Sequence, residues 1–170
     1  TRTLIAVALP SAGYLYNKGY VHALAHARGT GHAELLAILG VLSSNVTDWW
    51  ARRFVDRHVT APVINNLPIP KFGEHEIKQV ADCVALLLAR AGYTLLAGGI
   101  DVSARAESSD FAPETSDSLL AEIEAMVAYG HGLTCEDLAV VRGDFSAQGM
   151  TDAVYAKSVL RLEQMWEEQS

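Results

Sequence analysis

Two prolines one residue apart, Pro68 and Pro70, set the tightest limit on what this chain folds into. In Asn66-Leu67-Pro68-Ile69-Pro70 they remove alternate backbone N–H donors and fix φ. The segment therefore belongs at a sheet edge or in a polyproline-like stretch, and not inside a sheet. What precedes it reads as one long amphipathic helix from residue 33. Leu35, Leu39, Leu42, Val46, Trp49 and Trp50 recur along one stripe, the signature of a buried seam. Arg53 follows Trp49 by one helical turn and Arg57 follows Arg53 by another, with Arg52 and His58 beside them. An apolar rod thus ends in a basic knot, then a short loop leads to the prolines. Cations at that end also complement the helix dipole and cover tryptophan with their stems, which is the structural alternative.

The 170 residues, half of them hydrophobic, suffice for one domain with a sizeable core or a core with a smaller appendage. No apolar run reaches membrane-spanning length, so a soluble, cytoplasmic protein is expected. Cys83 and Cys135 lie in different segments without CxxC spacing, which supplies neither a disulfide framework nor a zinc knuckle. The net charge of −7 is uneven: residues 1–72 hold seven Lys and Arg against three Asp and Glu, and the remainder six against 17. That split suggests a basic working face in the first part and an acidic, solvated remainder.

Residues 3–9, Thr-Leu-Ile-Ala-Val-Ala-Leu, read as a strand already under way, closed by Pro10, Ser11 and Gly13. That start suggests a piece of a longer polypeptide. Tyr14, Tyr16, Lys18 and Tyr20 alternate, as in a second short strand or an ordered loop. A second helix is expected over residues 74–91 through Ile77, Val80, Ala81, Val84, Leu87 and Leu88, with Glu74 and Glu76 in its first turn. Residues 92–114, with Gly98-Gly99 and Pro113, carry no sustained period and read as a loop or linker. A third helix starts after Thr115 or Ser116 and ends at Gly130 and Gly132. Thr134 with Asp137 forms a capping box for a short helix, and a last helix covers residues 151–168. The expected fold is α+β and mostly helical, with a small sheet from the N-terminal segment and the prolyl edge. Its divisions are 1–92, a linker at 93–114 and a helical tail at 115–170.

Catalytic chemistry is not apparent. His22 and His26 share a helical spacing, with His32 nearby, but no further ligand or acidic base accompanies them. Gly29-Thr30-Gly31 lacks the rest of a phosphate loop. No nucleophile elbow or cysteine–histidine pair appears. Glu122 and Glu124, like Glu136 and Asp137, read as solvated helix faces and first-turn acids.

The string Leu35-Leu36-Ala37-Ile38-Leu39, then Ser43-Ser44-Asn45, an aromatic–arginine helix end, Asn66-Leu67-Pro68-Ile69-Pro70 and a helix near Ile77 resembles the target-recognition region of N6-adenine DNA methyltransferases. The likeness is to type IIG restriction-modification enzymes and their phage-defence relatives. Residues 120–127, then Gly132-Leu133-Thr134-Cys135-Glu136-Asp137-Leu138 and Asp144-Phe145, are similar to the closing helices of those polypeptides. Arg2-Thr3-Leu4-Ile5-Ala6 through Pro10 looks like the strand before the recognition helix. The resemblance implies a partner, double-stranded DNA. It also implies an upstream methyltransferase domain that binds S-adenosylmethionine, since the Asn-Pro-Pro-Tyr-type motif and any nuclease signature are absent. This chain would hold no cofactor and catalyse nothing by itself.

Under that implication Arg52, Arg53, Arg57, Lys18 and Lys71 are the phosphate candidates, and His58, Thr60 and Asn65 the base-reading ones, because asparagine pairs bidentately with adenine. For Asn65 the competing role is turn formation. Two other classes stand beside this reading. One is a helical interaction module that buries the Trp49/Trp50 seam against another domain or, as a homodimer, a second copy. The other is a small stand-alone enzyme, which lacks a convergent acid, base or nucleophile set.

Overall fold

The computed structural model describes residues 31–55, 59–96, 98–109, 115–145 and 149–169. The expected long helix is two helices, α1 (His32–Ser43) and α2 (Asn45–Ala51), broken at Ser44. Ser44 adopts an extended conformation, and its hydroxyl accepts the Thr47 N–H at 3.1 Å while donating to the Val41 carbonyl at 2.9 Å. A serine hydroxyl that closes one helix and caps the next competes with backbone continuation. The apolar stripe hides the break because it continues across it.

α1 is apolar on nearly every side and buries Leu36, Ala37, Val41 and Leu42. It lies against α4 (Glu74–Arg90), the helix after the prolyl exit. Gly40 permits the approach, since a Cβ there would meet Val80 Cγ1 at 2.6 Å. Between α2 and α4 sits a five-residue helix, α3 (Ala61–Asn65).

Residues 92–114 depart from the expected linker. Leu95–Leu96 (β1) and Ile100–Asp101 (β2) form an antiparallel hairpin, and α5 (Val102–Glu107) follows directly. Gly98 and Gly99 turn the hairpin with φ of 83° and 78°, a left-handed conformation that glycine adopts without steric cost. Asp101 caps α5, accepting the Ala104 N–H at 2.9 Å. Leu96, Ile100 and Val102 join the main core. Among the described residues the sheet stands at 95–101, and residues 67–70 form neither helix nor strand. The strand expected from residues 3–9 lies outside the described residues. The described residues are mostly helical with one small antiparallel sheet.

α6 (Ser116–Gly130) runs through the middle of the core, flanked by α4 and α8 (Asp152–Glu167), with α7 (Cys135–Gly143) packed on α8 and α2. Thr115 caps α6, and the Thr134–Asp137 capping box opens α7. Asp137 is held below its ordinary pKa by the Thr134 backbone and hydroxyl donors.

Glu122 and Glu124 are buried, not solvated. Arg161 of α8 donates from Nε to both Glu122 oxygens, at 3.1 and 3.0 Å, and Gln79 of α4 donates at 2.6 Å. One carboxylate thereby ties three helices. Asp82, also buried, receives Arg105 at 2.8 Å and Lys78 at 3.0 Å, which ties α5 to α4. Removing one partner of such a pair costs about 3–5 kcal/mol, more than the pair contributes net. Between these acids Cys83 is fully buried, and desolvation together with Glu122 and Asp82 pushes its thiol far up, so it is inert.

His131 closes α6, and burial holds its imidazole below the ordinary histidine value. The unfolded chain therefore takes up the proton first as pH falls. Stability contributed by the neutral ring is present above the ordinary pKa and lost on acidification below it. Denaturant titrations at about pH 7.5 and about pH 5.5 should show a larger loss in wild type than in His131→Gln. Equal losses in the two proteins would refute this.

Candidate nucleic-acid interface

The corner between α1 and α4 is built outward from the head of α2. The Asn45 backbone N–H donates to the buried Glu124 carboxylate of α6, and the Asn45 side-chain amide lies 3.3 Å from the same oxygen. An anion at a helix N-terminus satisfies a free donor and complements the dipole. Glu124 so fixes where α2 starts and where its two tryptophans point.

Trp49 faces α7. Its indole N–H donates to Asp144 Oδ2 at 2.7 Å, and the Arg53 guanidinium lies over its ring, 3.6 Å from the centroid. Arg53 also stands 3.8 Å from Asp144 Oδ2, with both side chains about half exposed, 47% and 53%. Arg52 turns inward. It donates to the Asp144 carbonyl at 2.8 Å, lies 3.8 Å from the buried Asp48 carboxylate and sits over the Phe145 ring at 4.1 Å. Its guanidinium is an internal brace between α2 and the end of α7, not the projecting phosphate ligand expected for Arg52. Of the basic knot, the two described arginines are thus paired, Arg52 with Asp48 and Arg53 with Asp144.

Trp50 faces the other way, into a second, smaller core of Leu42, Ala51 and Leu67, with Ile38, Val59, Val63 and Ile64 around it. This core fixes α3 and the start of the exit. On its outer edge Phe54 stacks on Trp50 at 4.4 Å between centroids yet remains 59% exposed. The turn carrying Phe54 is held by the Arg53 N–H to the Trp50 carbonyl and by the Phe54 and Val55 N–H groups to the Ala51 carbonyl.

Thr60 is the N-cap residue of α3, exposed, with no hydroxyl bond into the helix. Pro62 stands in the first turn, where a missing N–H costs nothing. The turn-forming role weighed for Asn65 belongs to its neighbour: the Asn66 amide donates to the Pro62 carbonyl at 2.7 Å, and Asn65 is exposed. Leu67 and Pro70 then point inward and Ile69 outward. Lys71 is exposed, and its backbone N–H donates to the Gly130 carbonyl at 2.9 Å. Lys18, Arg57 and His58 lie outside the described residues.

Thr60 and Asn65 are exposed at the two ends of α3, Arg53 stands on the Trp49 side of α2 beside Asp144, and Lys71 is held by its backbone against α6. Spacing gave no hint of the Arg52 and Arg53 contacts with Asp144, or of Phe54 as an exposed ring. His32 is exposed, and among the described residues no three His, Cys, Asp or Glu side chains gather as a metal site. No described helix is long and apolar enough to cross a membrane. Compared with protein-family models, curated proteins and solved structures, the chain gives no match.

Gly130 seats the exit, because a Cβ there would stand 2.7 Å from both Pro70 Cβ and Phe72 Cε1. Gly130→Ala should lower stability by about 1–3 kcal/mol, the usual cost of overpacking. The check is a fall in denaturant midpoint at constant m, and an unchanged midpoint would contradict the tight seat.

Proposed function

We propose that this chain is the target-recognition region of an N6-adenine DNA methyltransferase of the restriction-modification or phage-defence kind, acting in the cytoplasm on double-stranded DNA. It is non-catalytic itself. S-adenosylmethionine and the methyl-transfer chemistry belong to a separate catalytic domain of the same polypeptide. The observation that carries the reading is the corner's own small core. It holds α3 and the start of the prolyl exit on a fixed backbone while Thr60 and Asn65 stay exposed. Rigid backbone with exposed amide and hydroxyl groups is what base-edge recognition in a groove requires, and cations on either side position the duplex through phosphates. In this division Asn65 and Thr60 read bases, with His58, while Arg53 and Lys71 hold phosphates, with Arg57 and Lys18.

A second reading is favoured by the Arg53–Asp144 pair and the net charge of −7. In it the arginines serve only internal packing, and the chain is an interaction module that associates with another domain or a second copy.

One salt titration separates the two. Fluorescence anisotropy with a labelled duplex should give binding that weakens with salt. In Arg53→Ala, Lys71→Ala the slope of log K against log salt should be shallower by about 1.8, two phosphates' worth. Identical affinity and slope in the double variant would reject the recognition reading. Concentration-dependent self-association without salt-sensitive DNA retention would establish the second.

A further inference from the structure

We propose that the Trp49 indole N–H and the Arg53 guanidinium form a seat for one DNA phosphodiester group, which the Asp144 carboxylate occupies in the DNA-free chain. The inference rests on the DNA-recognition reading and specifies one phosphate contact within it. Asp144 Oδ2 stands 2.7 Å from the Trp49 nitrogen and 3.8 Å from the nearer Arg53 nitrogen. A singly charged oxygen thus already sits between a neutral donor and a cation. A phosphodiester oxygen offers the same charge and acceptor geometry to both. The seat is rigid, because the Arg53 guanidinium lies over the Trp49 ring at 3.6 Å from its centroid and the Arg53 N–H donates to the Trp50 carbonyl.

The carboxylate is the replaceable partner. Asp144 is the C-cap residue of α7, where the helix dipole disfavours an acid. Its ion pair with Arg53 is half exposed on both sides, the class of pair that contributes least. Its main chain, by contrast, is anchored: the carbonyl accepts Arg52 at 2.8 Å and the N–H donates to Val141 at 3.2 Å. The side chain can therefore swing away while the backbone and the Arg52 brace stay in place. Asp144 then sets the DNA affinity of this corner by competing for Arg53.

Asp144→Asn tests this directly, since asparagine keeps an acceptor for Trp49 and loses the charge. In duplex-binding anisotropy at about 0.1 M salt, the variant should bind about fivefold more tightly than wild type, the scale of one exposed ion pair. Asp144→Ser should show the same gain. Glu107→Gln, which removes an exposed acid on α5, should show none, and the gain should vanish in Arg53→Ala, Asp144→Asn. If wild type binds DNA salt-sensitively but the Asp144 variants match Glu107→Gln, Asp144 is only a strut between α2 and α7. The seat is then refuted while the recognition reading stands. If no protein in the set retains DNA, the reading and the seat fall together.

Discussion

Glu124 and the head of α2 are the constraint on which the corner depends. A carboxylate buried in the central helix of the core accepts the Asn45 backbone N–H, and such an acid is stable only with charge-assisted donors. The donors exist because Ser44 ends α1 and frees the first N–H groups of α2. The break and the acid therefore require each other. Had the apolar rod run straight on, those N–H groups would be spent inside the helix and Glu124 would be left without them.

From that fixed start, two adjacent tryptophans do different work. Successive helix residues point about 100° apart, so Trp49 meets the end of α7 while Trp50 enters the small core under α3. Their aromatic faces carry the next residues outward, Arg53 on Trp49 and Phe54 on Trp50. The same geometry decides between the arginines. Arg52, one residue earlier, falls on the side facing Asp48 and Phe145 and becomes structural, while Arg53 stays half exposed.

Local signals foretold what local chemistry determines. The helices over 74–90 and 116–130 and the Thr115 and Thr134 caps were legible from periodicity and from residues whose roles depend on near neighbours. The hairpin at 95–101 was not, because two-residue strands carry no period and its Gly98-Gly99 signal also marks a loop. Glu122 and Glu124 looked like solvent-facing acids because burial of a carboxylate depends on Arg161, Gln79 and Asn45, residues far away in the chain. The partner of Arg52 and Arg53, Asp144, was not legible for the same reason: it stands some ninety residues on.

The central claim is that a corner with its own core presents a fixed surface to duplex DNA. Hydrogen exchange followed by mass spectrometry, with and without a duplex at low salt, tests it most directly. The account predicts slowed exchange concentrated in residues 52–55 and 59–71, with α5 and the outer face of α8 unchanged. Slowing confined to α5 or α8, or none at all with DNA in excess, would contradict it.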